Sequence, residues 1–255
     1  MAVKLTQSEV PSVWWGILPV AVWVVYTLDH LLDSLKSMNR ASNQRHQFHF
    51  RYFWTLFSIM IILGGIALFL SLFFFRIQVM WIGLSLSILV VLYFGLLNFL
   101  PEKYRKFLPK ELFIAIVYVL GIWFVPIFYS NQSLSVDLVW LLVIFVTLTW
   151  AEGAMTSLFE YDTDIQDGHH SFATFVGLKK GKLIVIITLE FSLVLLSLLA
   201  FLSTNPLMKY AAMILMVINL GLLSILLLQD YFKQQSRYRS WGECLFFLPV
   251  LLLLF

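Results

Sequence analysis

The chain has 255 residues; 61% are hydrophobic and 12% charged, the mean hydropathy is +0.90 and the formal net charge is +3. A soluble domain is about half apolar and a quarter charged, so this composition excludes a soluble enzyme or a nucleic-acid-binding module and points to a protein that lives in lipid. The single cysteine, Cys244, supports neither a disulfide framework nor a zinc site.

Residues 1–10 are polar and mixed in charge, and no small-residue cleavage site follows the first apolar run, so the start does not read as a signal peptide. Apolar runs then follow near 13–32, 52–75, 77–99, 112–129, 134–157, 183–203, 207–228 and 241–255, the last of them short. A stretch of roughly 20 apolar residues crosses a bilayer. The expected fold is therefore all-α, a polytopic transmembrane helical bundle of about eight spans. The connections are brief, which leaves one domain over 1–255 and no separate soluble part. Gly64 and Gly65 fall inside the second run, where close helix packing explains them.

Charge sets an orientation. Lys36, Arg40, Arg45 and Arg51 follow the first run, and Lys103, Arg105, Lys106 and Lys110 the third. Lys179, Lys180 and Lys182 follow the fifth, and Lys233, Arg237 and Arg239 the seventh, so 14 of the 17 basic residues lie in alternate connections. Basic connections stay in the cytoplasm, which places both termini outside. The expected location is a prokaryotic cell (inner) membrane, spanned several times.

Two acidic clusters fall on the basic face. Asp29 and Asp33 end the first run, four residues apart and so on one helix face. Glu160 and Asp164 repeat that spacing after the fifth run, with Asp162 and Asp167 beside them. Like charges at this spacing repel unless a cation or a base joins them. Mg²⁺ is a hard ion that takes one or two carboxylates plus substrate phosphates, and neighbouring Lys and Arg hold phosphate directly. Two acid clusters, a basic rim and an apolar bundle suit a substrate with a diphosphate head and a hydrocarbon tail.

Glu160, Asp164, Gly168, Ser171, Ala173 and Gly177 fall in the register of a motif of the form D-x-x-x-D-x-x-x-G-x-x-[ST]-x-[AP] followed by glycine, with Glu160 standing at its first Asp. Asp29, Asp33 and Arg40 match a second motif, N-D-x-x-D-x-x-x-D followed by arginine, with Val25 and Tyr26 standing at its Asn and Asp. Lys110-Glu111 opens a run that contains Tyr118 and Gly121. On these residues the chain resembles the UbiA superfamily of intramembrane prenyltransferases from about residue 13 to its end. That family has nine helices, and the one preceding the first motif has no counterpart here.

The resemblance implies an Mg²⁺-dependent transfer of a prenyl group from a polyprenyl diphosphate to a lipophilic acceptor. It assigns Asp29, Asp33, Glu160 and Asp164 to catalysis through the metal, with Asp162 and Asp167 as further metal ligands. Arg40, Lys110, Lys179 and Lys180 would bind the diphosphate. Water exclusion would protect the cation-like allylic carbon. A terpene cyclase of the same fold, or a non-catalytic lipid-binding or scaffold relative, remains open from the residues alone.

Two acids lie inside runs, where ionisable groups are functional candidates by default. Glu152, Thr156 and Glu160 share one face by their spacing, so Glu152 is assigned to acceptor binding; Glu190 has no such alignment and reads as structural. His46, His49, His169 and His170 lie beside the acid-bearing connections, where a transition-metal site competes with ordinary interfacial roles.

Overall fold

The computed structural model describes residues 1–37, 44–99, 110–168 and 170–255. Arg40, Lys103, Arg105, Lys106 and His169 lie outside the described residues, as do the side chains of Lys36, Arg45 and His46. Among the described residues every regular element is helical. The chain divides into two compact units, one formed by Met1–Glu9, Pro109–Asp164 and His170–Phe255, the other by Val10–Leu108 and Ile165–His169.

The second of these units contains α2 (Trp14–Ser37), α3 (Gln44–Arg51), α4 (Phe53–Phe74) and α5 (Ile77–Phe99). The three long helices are each apolar enough to cross a membrane. Along α4 the apolar residues face all round, as a helix bathed in lipid requires. A Cβ at Gly64 would meet Val24 of α2 at 3.8 Å, an ordinary contact, and nothing lies within 4 Å of one at Gly65, so close packing requires neither glycine. The short α3 folds back on α2 and buries His49, whose ring lies 4.9 Å from that of His30.

The other unit contains α1 (Ala2–Thr6), α6 (Lys110–Phe128), α7 (Val136–Phe159), α8 (Tyr161–Asp167, whose last three residues belong to the second unit), α9 (Phe172–Val176), α10 (Leu178–Leu202), α11 (Pro206–Leu227), α12 (Gln229–Lys233) and α13 (Arg237–Leu245). At its centre is α7, begun by Ser135, whose hydroxyl accepts from the Leu138 N–H. Leu138, Leu141, Phe145, Leu148, Ala151, Met155 and Leu158 recur every three or four residues along α7 and are buried against α6, α10 and α11. In lipid the hydrophobic effect does not drive helix on helix; small residues and interhelical hydrogen bonds do. Ala151 and Ala154 of α7 and Ala211 and Ala212 of α11 are accordingly almost wholly buried. Asn219 of α11, fully buried, donates to the carbonyl of Leu189 on α10 at 2.9 Å.

Among the described residues seven helices are long and apolar enough to span a membrane. The last apolar run is different. It forms α13, too short to cross alone, and a 3₁₀ helix over Leu248–Leu254. Pro249 explains the break: in an α-helix its ring would meet the carbonyl four residues back, that of Leu245, where α13 ends. Yet the two pieces run back along α11. Leu245 lies against Gly221, and Phe255 stacks on Tyr210 with ring centroids 4.2 Å apart. At standard rises the two helices cover roughly 27 Å, close to the roughly 30 Å of a hydrocarbon core. Seven long helices and this broken apolar segment stand where about eight spans were expected.

The first residues dock at the same end of this unit as the last. Ser130 donates its hydroxyl proton to the Thr6 carbonyl at 2.7 Å, and the Gln132 amide donates to Gln7 at 2.6 Å. Ser203, at the end of α10, donates to Asp137 at the start of α7, and α11 begins at Pro206 just beyond. Both termini therefore sit at the end of the unit opposite to Glu160.

Candidate active site

The site is built where α7 runs out. Its last residue is Phe159, and the Glu160 N–H still bonds the Thr156 carbonyl at 3.1 Å. The chain then continues almost without interruption, because the Asp164 N–H bonds the Glu160 carbonyl at 2.8 Å. Glu160 and Asp164 thus stay one turn apart, as their spacing requires. Gly168 ends the turn at φ +68°, and Gly177 lies at φ +87°, ψ 152°, a region open essentially to glycine. These two residues of the motif reverse the chain so that it re-enters as α10.

Between the two glycines lies α9, whose first N–H groups all have partners. Ser171 accepts from Thr174 N–H, and the Thr174 hydroxyl accepts from Ser171 N–H. Ala173, fully buried, donates its N–H to the Ser157 hydroxyl at 3.2 Å. Phe172 donates its N–H to Glu111 Oε1 at 2.7 Å, which anchors the motif to the start of α6. Ser171 and Ala173 thereby have structural reasons for their place in the motif.

Glu160 is held from the C-terminal segment. Its Oε1 accepts from the Tyr238 hydroxyl at 2.9 Å and pairs with the Arg239 guanidinium. Tyr238 is buried with its ring stacked on Phe159, centroids 4.4 Å apart and planes 3° from parallel. Burial, reinforced by the Glu160 charge, pushes the Tyr238 hydroxyl up to about 12, so it remains a donor at neutral pH. For Arg239, burial works against the charge, but Glu160 outweighs it and raises the guanidinium further.

Asp164 is only partly exposed, and its carboxyl is pushed up to about 7. Burial is the main cause. A hydrogen bond from Ser171 opposes it, the charges of Glu160 and Glu111 add to it, and Lys110 offsets part. Three carboxylates therefore feel one another here, with Lys110 and Arg239 as nearby cations. Among the described residues no three His, Cys, Asp or Glu side chains are grouped closely enough to form a metal cage. Mg²⁺ does not need one, since one or two carboxylates plus substrate phosphates suffice. An all-oxygen pair, one member of which is raised mainly by burial and further by neighbouring carboxylates, fits that ion.

Asp162 is exposed and pairs with Lys233 at 3.6 Å; Asp167 closes α8, partly buried. Lys179 and Lys180 are exposed in the first turn of α10, and Lys182 donates to Gln229 at 3.1 Å. Glu152 shares the face of Thr156 and Glu160, as its spacing implied, and accepts from the Thr156 hydroxyl at 3.2 Å. Glu190 is exposed. Asp29 and Asp33 are partly buried, one turn apart on α2. The His49 ring lies against that of His30, and His170 is exposed.

Sequence reasoning counted Arg239 only as a topology charge and did not single out Tyr238, Gly242 or the capping role of Glu111. For Glu111 the sequence offered its position at the opening of a span and its place in the family resemblance, but no sign of the helix it caps. Nothing local links residue 239 to residue 160.

The model of the UbiA prenyltransferase family matches residues 27–250. The chain belongs to that family. Comparison with curated proteins and with solved structures gives no match. The family and the apolar helices make this a multi-pass membrane protein of the intramembrane prenyltransferase class.

The Asp164 shift carries a stability consequence for this UbiA-family chain. Its folded pKa, about 7, lies above the ordinary aspartate value of 3.8. The folded state therefore binds the extra proton between those values. Its contribution is fully present below the lower value and is lost as pH rises through about 7. In chelator, the parent should lose thermal stability relative to Asp164→Asn between pH 5 and pH 8. Parallel melting temperatures in detergent over that range would contradict the assignment.

Proposed function

We propose that this protein transfers a prenyl group from a polyprenyl diphosphate to a lipophilic acceptor in an Mg²⁺-dependent reaction, in the inner membrane of a prokaryote. The observation that carries the reading is the Glu160–Asp164 pair, held one turn apart at the end of a membrane-spanning helix within a motif of the UbiA prenyltransferase family.

Bound Mg²⁺ would neutralise the negative charge that develops on the departing diphosphate. Glu160 and Asp164 would hold it, and Lys110, whose charge is felt at Asp164, would meet the diphosphate oxygens. Asp29 and Asp33 are assigned the same metal-holding task, with Asp162 and Asp167 as outlying ligands and Arg40, Lys179 and Lys180 as diphosphate donors. Glu152, already bonded to Thr156 on the face that leads to Glu160, would receive the polar end of the acceptor. The surrounding apolar helices exclude water from the allylic cation.

The test is incubation of the purified protein with Mg²⁺ and a panel of prenyl diphosphates, with and without quinol or phenol acceptors. Diphosphate release that requires an acceptor supports transfer. Release without one replaces transfer by cyclisation or hydrolysis, and no release with any donor removes the enzyme reading.

A further inference from the structure

The C-terminal segment reaches the acidic motif with a cation and a hydroxyl. Arg239 and Glu160 are both shielded, with side chains 16% and 17% exposed, so their attraction is screened less than that of a surface pair. Tyr238 fixes Glu160 independently, through its hydroxyl at 2.9 Å and its stack on Phe159. The position of α13 is set one turn further on. Gly242 lies so close to α7 that a Cβ there would meet Glu152 Oε1 at 3.3 Å and Met155 Cε at 3.8 Å. Arg239 is thus delivered to Glu160 by a helix packed closely on α7, and it reaches there on a long side chain.

We propose that Arg239 is an exchangeable cation of the site: it neutralises Glu160 when no metal is bound, and passes to the diphosphate when a divalent ion takes the carboxylate. The charges support the exchange. A carboxylate paired to a guanidinium has no net charge to offer, so a divalent ion must displace that pairing. A guanidinium released a few ångströms away is a planar, permanently charged donor suited to two diphosphate oxygens at once. Tyr238 keeps Glu160 in place throughout. Arg239 would then order the two binding events, since the metal binds poorly alone and well with its diphosphate. This inference rests on the reading of Glu160 as a metal ligand.

Binding measurements separate the two claims without turnover. Mn²⁺, read by electron paramagnetic resonance, stands in for Mg²⁺, and inorganic pyrophosphate stands in for the substrate head. In the parent, Mn²⁺ should bind weakly alone and at least about ten-fold more tightly with pyrophosphate. Arg239→Gln should bind Mn²⁺ alone several-fold more tightly than the parent. Its affinity for pyrophosphate in the presence of Mn²⁺ should fall by about ten-fold or more, the scale of a lost charge-assisted hydrogen bond. Arg239→Lys, which keeps the charge but not the fork, should stay near the parent for Mn²⁺ and lie between the two for pyrophosphate.

If Arg239→Gln weakens Mn²⁺ binding, Arg239 is a positioning residue for Glu160 and the exchange is wrong. Unchanged pyrophosphate affinity also overturns it, and in both cases the metal reading of Glu160 survives. A parent that binds neither probe sinks both.

Discussion

Asp164→Ala is expected to abolish Mg²⁺-dependent diphosphate release while leaving the bundle folded. Asp164 lies in the register that includes Gly168, Ser171 and Gly177, and the structure shows why that register is built as it is. Glycine torsions turn the chain, and Ser171 both caps α9 and bonds the Asp164 carboxyl. That carboxyl is partly buried near the charges of Glu160 and Glu111. A divalent cation relieves the repulsion; an alanine removes it without supplying a ligand. Loss of one charge-stabilising group at a reacting centre costs on the order of 3–4 kcal/mol, or roughly 10²–10³ in rate. Lys209→Ala, at the start of α11 and the opposite end of the unit, should leave the rate unchanged. Parent-like release from the Asp164 variant would remove this carboxylate from the chemistry.

Gly242→Leu should be the most damaging substitution on α13. A Cβ at this glycine already meets Glu152 Oε1 of α7 at 3.3 Å, which leaves no room for a long side chain, and the glycine follows Tyr238 and Arg239 by one turn. A leucine forces the two helices apart. Overpacking of this kind costs roughly 1–3 kcal/mol, and the displacement also draws Arg239 and Tyr238 away from Glu160. The variant should therefore melt earlier in detergent and lose diphosphate release as well. Gly65→Leu is the matched control, because no atom lies within 4 Å of a Cβ there. Equal losses in the two variants would show that the contact at Gly242 carries no special weight.

Much of the fold was legible before any coordinates. Bilayer thickness imposes a minimum length on an apolar helix, so composition and run length alone locate the seven long helices to within a few residues. The last apolar run was legible as apolar but not as broken, since Pro249 acts through the geometry of a helix whose existence must first be assumed. The i, i+4 spacing of Glu160 and Asp164 was equally legible, because the helical repeat converts spacing into a shared face. It also placed Glu152 and Thr156 on that face, where they are now seen to bond.

The sequence by itself determined that this is a polytopic helical membrane protein, which carboxylates it carries at its span ends, and which residues follow the prenyltransferase motif. Those are properties of short windows, governed by helix periodicity and the dimensions of lipid. Only the tertiary structure decided what surrounds the carboxylates. Glu111 caps a helix 61 residues away in sequence, and the hydroxyl of Tyr238 reaches Glu160 across 78. Arg239 looked like one more basic residue on a cytoplasmic connection until α13 was seen folded back against α7. Such partners are chosen by how whole helices pack, and packing joins residues whose separation along the chain has no period to read.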